Sequence, residues 1–155
     1  MNKIKLTPSQ AKEKIKHFCA YQERCHSDVK DKLFEYGLTS NEIDEILLYL
    51  IENNYLNEQR YAEQFTGGHF RGKKWGRIKI RYTLKSKKIS EPCIKKALLL
   101  IDEEDYIKTL KQLMEEKMRS LKSEKNHFIR KKKIYDYLLQ KGYESAYIQE
   151  LMKEQ

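Results

Sequence analysis

Residues that turn or break a chain are scarce in this sequence, which has two prolines and six glycines among its 155 residues. So few turn-forming residues exclude a fold built from many short strands and tight turns. No apolar run approaches the roughly 20 residues that a helix needs to span a membrane. The opening segment, Met1–Leu6, also lacks the apolar core of a signal peptide. We therefore expect a cytoplasmic protein with no membrane partner.

Residues typical of metal sites and nucleophiles are equally sparse, with three cysteines and four histidines. Cys19, Cys25 and Cys93 match no zinc-binding spacing, so we expect reduced thiols that are buried or half-buried. A position near a helix junction leaves Cys25 open to exposure. The histidines are scattered, and no glycine-rich phosphate loop follows a strand. We assign no catalytic residue, metal or cofactor, and we expect a protein that is not an enzyme.

Charged residues make up 35% of the chain, and the mean hydropathy is −0.85. These values are typical of a disordered protein until the apolar residues are placed. The apolar residues recur at the spacing of a core-facing helix, as in Ile43, Ile46, Leu47, Leu50 and Ile51. The pattern therefore predicts a folded helical protein with a highly solvated surface.

One apolar pattern occurs three times along the chain. In each copy an Ile or Val is followed four residues later by Leu and ten residues after that by Ile. The copies are Val29, Leu33 and Ile43; Ile80, Leu84 and Ile94; and Ile134, Leu138 and Ile148. A period of about 50 residues indicates a tandem array of supersecondary units. Such arrays usually offer an extended surface to a macromolecule.

Helix start signals divide each copy of the repeat into three helices. Thr7 before Pro8 and Thr39 before Glu42 form capping motifs, and Asn57 can cap the fourth helix. A module of about 50 residues is marginal by itself, so neighbouring modules are expected to share some burial. We predict an all-α fold of three tandem three-helix modules, which span residues 1–56, 57–101 and 102–155.

Two further expectations concern single helices. Ser27 is expected to cap the second helix, which stops at Gly37. Gly67 and Gly68 are expected to kink or fray the fourth helix, because two glycines cost roughly 2 kcal/mol of helix propensity relative to alanine. A turn over residues 72–76 should follow it.

The net charge of +9 is concentrated in the middle of the chain. Residues 57–100 carry twelve Lys or Arg and three Asp or Glu, for +9, whereas residues 1–56 sum to −1 and residues 101–155 to +1. One stretch contains no acidic residue, and its basic residues are Arg71, Lys73, Lys74, Arg77, Lys79, Arg81, Lys85, Lys87 and Lys88. The middle module therefore holds the whole charge excess.

The fifth helix is expected from Arg77 to about Lys88, with cations at 77, 81, 85 and 88 in one outward stripe. Its buried face should comprise Ile78, Ile80, Leu84 and part of Tyr82. Like charges four residues apart repel by about 0.2–0.5 kcal/mol per pair when no acidic partner compensates. We therefore favour an anionic partner over plain solvation for this stripe. Trp75, the only tryptophan, is either an anchor for that partner or a core residue.

A smaller basic cluster lies in the third module and comprises Arg130, Lys131, Lys132 and Lys133. Glu124 and Asp136 flank it, so plain solvation and binding of a partner both stay open for this cluster.

Three motifs follow one another in a fixed order. They are Tyr-Leu-Asn-Glu-Gln-Arg-Tyr-Ala over 55–62, the basic segment over 73–89, and Lys133–Ile134 through Leu138 to Lys141-Gly142-Tyr143. In their order and spacing they resemble the RecX family, bacterial regulators of the RecA recombinase, from about Tyr21 to the C-terminus. Thr83 departs from a Glu that is common in the family. Lys88 stands where the family commonly has the Gly that ends the helix.

The resemblance implies three tandem three-helix modules in an elongated, curved molecule, and we expect a monomer. It implies an inhibitor of RecA in DNA repair, recombination and the SOS response. Such a protein binds the groove of the RecA–DNA filament and blocks its extension or promotes its disassembly. The concave face would contact both RecA and the phosphates of single- or double-stranded DNA through the basic residues and Trp75.

A second interpretation is a non-specific DNA-binding helical module that acts independently of RecA. Three-helix units resemble helix-turn-helix domains, whose second helix enters a groove of DNA. Asn and Gln, which read base edges, are absent from the helix expected at 77–88. Under this interpretation the module binds the DNA backbone rather than a sequence.

Overall fold

The structure, a computed structural model, describes residues 5–155. Within that range the chain forms nine helices and no strand: α1 (Pro8–Tyr21), α2 (His26–Glu35), α3 (Ser40–Glu52), α4 (Glu58–Lys73), α5 (Arg77–Ser86), α6 (Glu91–Leu99), α7 (Glu103–Ser120), α8 (His127–Gln140) and α9 (Ser145–Lys153). They follow one another as three trios, which confirms the predicted all-α fold of tandem three-helix units. The sequence analysis expects no signal peptide in Met1–Leu6, and residues 1–4 of that segment lie outside the described residues.

The predicted helix starts are present at three positions. The hydroxyl of Thr7 accepts the amide of Gln10 at 3.2 Å, and the Gln10 side chain accepts the amide of Thr7 at 3.0 Å. Thr39 and Glu42 form the same reciprocal pair at 3.3 and 2.8 Å. Asn57 accepts the amide of Arg60 at 2.8 Å. These caps satisfy amides that a helix start leaves without partners.

The expectation that Ser27 caps the second helix is wrong. The helix begins two residues earlier than a Ser27 cap would place it, with Cys25 at the cap position and no capping hydrogen bond from its side chain. The hydroxyl of Ser27 instead donates to the carbonyl of Lys87 at 3.2 Å. A tertiary contact between the first and second trios has therefore taken the place of a local cap.

The expected fraying at Gly67 and Gly68 does not occur, because α4 runs through both glycines and ends at Lys73. Thr66 and Phe70 are buried on either side of the pair. Burial of an amphipathic face outweighs the low helix propensity of glycine. The turn that follows is correspondingly short, and Lys74 adopts the left-handed conformation at φ +57°.

The three copies of the repeat end their middle helix in the same way. Gly37, Lys88 and Gly142 all have left-handed backbones, with φ of +84°, +62° and +100°. The amide of each donates to a carbonyl three residues earlier at 2.9 Å. The next residue is buried in all three copies, as Leu38, Ile89 or Tyr143. Lys88 therefore adopts the geometry of the glycine that it replaces.

The buried apolar residues form two cores. One belongs to α1–α3 and includes Leu33 and Leu50. The other runs continuously from α4 to α9 and also takes in Cys25, which is fully buried rather than exposed. The second and third trios therefore share one core. Polar contacts such as Lys87 to Asp28 at 3.4 Å join the first trio to the second.

Several residues expected in the core lie at the surface. Ile80 and Leu84 are buried as predicted, but Ile78 is 52% exposed and Tyr82 is 76% exposed. Each lies two residues before a buried one, which corresponds to about 200° of helix rotation. Ile51, in the last turn of α3, is 44% exposed.

Candidate nucleic-acid and protein interface

The single tryptophan lies between two lysines in the turn from α4 to α5. The Nζ atom of Lys79 is 4.6 Å from the centre of the Trp75 ring, and that of Lys73 is 5.4 Å away. The centre of the His69 ring lies 4.6 Å from the centre of the Trp75 ring. Ammonium groups at these distances are attracted by the electron-rich face of the ring. Trp75 is half-buried, so it both packs and borders a basic surface.

The turn between α8 and α9 meets this basic surface. Gly76 donates its amide to the carbonyl of Lys141 at 2.8 Å, and Ile78 donates to that of Gly142 at 2.9 Å. The Nζ atom of Lys141 donates to the carbonyl of Lys73 at 3.1 Å. We use "lysine–tryptophan cluster" for the residues that meet here: Lys73, Lys74, Trp75, Lys79 and Lys141.

The predicted contacts do not include Lys141, because it lies more than 60 residues along the chain from the rest of the cluster. The signal that could have found it is Gly142, since a glycine next to a cation permits close backbone approach. Lys74 is partly balanced, because its Nζ atom is 3.8 Å from Glu116. Among the described residues, no carboxylate pairs with Lys73, Lys79 or Lys141.

Arg77 points into an internal network instead of toward solvent. Its guanidinium pairs with Glu103 at 2.5 Å and with Glu144 at 3.1 Å, and its side chain is only 20% exposed. It also stacks 3.8 Å from the ring of Tyr106. Hydrogen bonds from Tyr147 and then from Arg77 lower the pKa of Glu103. The network ties α5 to α7 and α9.

The expectation that the basic stripe on α5 lacks acidic partners is wrong. Arg81 pairs with Glu91 of α6, and Lys85 lies 3.5 Å from the same carboxylate. Lys87 pairs with Asp28 of α2. These acids come from other helices, so the repulsion within α5 is offset across the fold. The like-charge argument for an anionic partner therefore loses its force for these residues.

Two other predicted cations are exposed and lack a carboxylate partner among residues 5–155. Arg71 lies in the last turn of α4, and Lys88 occupies the left-handed position after α5. With Lys73 and Lys79 they make up the unbalanced part of the predicted basic segment.

The smaller basic cluster on α8 is partly neutralised. Lys132 pairs with Asp136 at 2.9 Å, and Lys133 lies 3.5 Å from Glu124. Lys131 is exposed. The side chain of Arg130 is half-buried, and its Nε atom is buried without a partner among the described residues. About 15 Å of helix separates Lys131 from Lys141, so this cluster and the lysine–tryptophan cluster are separate surfaces.

The described residues contain no cluster of three or more His, Cys, Asp or Glu that could hold a metal ion. Burial raises the pKa of the Cys19 thiol to about 11 and also raises that of Cys25. No helix within the described range is long and apolar enough to cross a membrane.

Family models and relatives match most of the chain. The model for the second three-helix domain of RecX matches residues 57–98, and that for the third matches residues 103–152. "Regulatory protein RecX" of Clostridium perfringens is 34% identical over 122 residues, which cover 78% of this chain and 57% of that protein. The same-named protein of Clostridium botulinum is 32% identical over 132 residues, which cover 84% and 61%.

The fold has a solved counterpart. The crystal structure of RecX from Lactobacillus salivarius superposes with a TM-score of 0.83 at 25% identity, and 95% of each chain is covered. The chain spans less than two thirds of the length of the two clostridial relatives. The two domain models match tandem helix trios of the observed fold, in the order in which they occur along the chain. The chain therefore belongs to the RecX family.

Proposed function

We propose that this chain is a non-enzymatic regulator that inhibits the RecA recombinase. It would bind in the groove of the RecA–DNA filament, where it blocks extension or promotes disassembly, in cytoplasmic DNA repair and recombination. Membership of the RecX family supports this assignment, and the lysine–tryptophan cluster supports the mode of contact. The three trios, with boundaries at 1–56, 57–101 and 102–155, would act as one monomeric array across the filament.

The lysine–tryptophan cluster carries the proposal, because it joins unbalanced cations to an aromatic ring at a joint between two trios. Lys73, Lys79 and Lys141 offer ammonium groups to phosphates or carboxylates. The exposed part of the Trp75 ring offers a stacking face for a base of a single strand. Arg71 and Lys88 extend this basic surface along the second trio.

The remaining predicted contacts have different roles in this proposal. Arg77 positions α5 against the third trio and would act indirectly. Arg81, Lys85 and Lys87 have carboxylate partners within the molecule, so a filament contact would have to compete with those pairs. Lys74 has one at 3.8 Å. The second cluster, Arg130–Lys133, would add weaker contacts.

The test measures RecA ATPase and strand exchange with added protein. We expect inhibition at amounts below one protein per RecA, and at least a tenfold higher inhibitory concentration for the Lys73→Ala, Lys79→Ala double variant. Lys108→Ala, Lys111→Ala is the matched control, because it removes the same charge from an exposed part of α7. Absence of inhibition by the wild-type protein at equal amounts would refute the proposal.

The alternative function, DNA binding without RecA, is favoured by the ammonium groups of Lys73, Lys79 and Lys141, which pair with no carboxylate among the described residues. Quenching of Trp75 fluorescence by single- or double-stranded oligonucleotides measures it directly. Each phosphate contact adds a slope of about −0.9 for duplex DNA in a plot of log K against log salt. DNA binding without any effect on RecA turnover would favour the alternative over the first proposal.

A further inference from the structure

A groove of about 340 Å³ lies between α7, α8 and the end of α9. Its floor is made by Met114, Met118, Met152 and Ile134. Three of the four methionines of the chain line this one groove. Methionine is flexible and polarizable, and it is over-represented on surfaces that accept varied apolar side chains. The composition of the floor is therefore typical of a peptide-binding surface.

The rim of the groove is basic. His127, Arg130 and Lys131 line it, and no Asp or Glu is among its lining residues. The contrast with the rest of the third trio is clear, since residues 101–155 carry eleven acidic residues. A groove with an apolar floor and a cationic rim is complementary to an apolar segment that carries negative charge.

One hydrogen-bond donor of Arg130 has no acceptor among the described residues. The Nε atom of Arg130 is buried, and no residue of the described range accepts its hydrogen bond. A buried donor without an acceptor is costly, and the guanidinium of Arg130 can form a charge-assisted hydrogen bond with a carboxylate that enters the groove.

We propose that this groove binds an acidic amphipathic segment of a partner protein. Apolar side chains of the segment would rest on the three methionines, and one of its carboxylates would pair with the guanidinium of Arg130. Lys131 and His127 would attract further acidic residues at the rim. The groove shares Arg130 and Lys131 with the smaller basic cluster, but it lies at the far end of α8 from the lysine–tryptophan cluster that carries the proposed function. A peptide in this groove therefore goes beyond the proposed function and does not depend on it.

The methionines make the proposal directly measurable. The protein is labelled with [13C]methyl-methionine, and methyl NMR spectra are recorded as a synthetic 14-residue helical peptide is added. The peptide carries leucines on one face and glutamates beside them. Two matched peptides have every glutamate replaced by lysine or the same residues in scrambled order. We expect the signals of Met114, Met118 and Met152 to shift with the acidic amphipathic peptide alone.

Variants assign the contacts. Arg130→Gln should weaken binding of the acidic peptide about tenfold, which is the loss expected for one charge-assisted hydrogen bond. Arg119→Gln is the control, because Arg119 is exposed on α7 and does not line the groove. Methyl spectra and circular dichroism of each variant without peptide establish that its fold is retained. An affinity that is equally weak in both variants would contradict the role of Arg130.

Three results would overturn the proposal. The first is that the acidic peptide leaves the methyl signals of the groove unchanged at millimolar concentration. The second is that the lysine or scrambled peptide shifts them equally, which would remove the charge or helix requirement. The third is that a short oligonucleotide, added as a third probe, shifts them more strongly than any peptide, which would identify the groove as a nucleic-acid site. Because RecA is absent from these measurements, each outcome is separate from the fate of the proposed function.

Discussion

A Cβ atom on Gly76 would lie 2.3 Å from the carbonyl oxygen of Gly142. The two glycines belong to different trios, and the amides of Gly76 and Ile78 donate to the carbonyls of Lys141 and Gly142 at 2.8 and 2.9 Å. Direct contact between backbones leaves no room for a side chain at either position. The joint between the second and third trios is therefore set by main-chain geometry, and it also brings Lys141 to the lysine–tryptophan cluster.

Replacing Gly76 with alanine should destabilise the protein. The added methyl group meets the backbone of Gly142 and Tyr143, which must move apart. Overpacking of this kind typically costs about 1–3 kcal/mol, and contact with backbone atoms places the loss at the upper end. Urea unfolding followed by circular dichroism measures the change.

Gly68→Ala is the matched control for that substitution. No atom lies within 4 Å of a Cβ at this position, which is in the interior of α4. Alanine should stabilise the helix there by about 1 kcal/mol, because it has the higher helix propensity. Opposite signs for the two variants would support the joint as described, and a neutral Gly76→Ala would contradict it.

The fold could be predicted from sequence because its signals are local and repeated. Thr7 and Thr39 cap their helices through side chains three residues away, and three copies of one apolar pattern mark the equivalent helices. Predictions failed where a tertiary contact replaced a local one, as at Ser27, or where burial outweighed propensity, as at Gly67. Hydropathy likewise could not distinguish the buried face of α5 from the exposed side with Ile78.

The repeat also predicts the effect of restoring a glycine. Lys88 has the left-handed conformation that Gly37 and Gly142 adopt at the equivalent positions. This conformation costs a residue with a Cβ roughly 1 kcal/mol relative to glycine. Lys88→Gly should therefore raise the free energy of unfolding by about 1 kcal/mol. Lys88→Ala removes the same charge and keeps the Cβ, so equal stability of the two variants would show that charge, and not backbone strain, decides.

The sequence predicts the candidate site less completely than it predicts the fold. The dense run of cations from Arg71 to Lys88 is visible in the sequence, but their partners are not. Glu91 and Asp28 come from other helices and neutralise part of the run. Lys141 joins the cluster only because two turns meet in space. The spacing of residues along one helix predicts which of them are neighbours on that helix, but it does not predict contacts with other helices.

The three thiols should differ in reactivity. Cys19 and Cys25 are buried, whereas Cys93 is partly exposed. With a pKa of about 11, Cys19 carries about one thiolate in a thousand at pH 8. Iodoacetamide at that pH should modify Cys93 first in the native protein and all three thiols in urea. Mass spectrometry of the peptides identifies the modified cysteines. Loss of the fast phase in Cys93→Ser would support the assignment, and rapid modification of Cys19 would oppose it.

The network around Arg77 should make stability depend on acid. Glu103 accepts from Tyr147 and pairs with Arg77, which together lower its pKa in the folded protein. A carboxylate with a depressed folded pKa stabilises the fold above its unfolded pKa of about 4.3. That contribution is lost as the pH falls through the lower, folded value. The wild-type protein should therefore be more stable than Glu103→Gln at pH 7, and the difference should shrink below about pH 4.

Urea unfolding of both proteins between pH 7 and pH 3 measures this difference. Glu115→Gln serves as the control, because Glu115 is exposed on the same helix. Its own carboxylate makes no hydrogen bond or ion pair with another described residue. Its unfolding free energy should follow that of the wild-type protein across the range. The network explanation fails if Glu103→Gln matches the wild-type protein at pH 7, or if their difference stays constant as the pH falls. A shrinking difference confined to Glu103→Gln would identify the contacts with Tyr147 and Arg77 as its source.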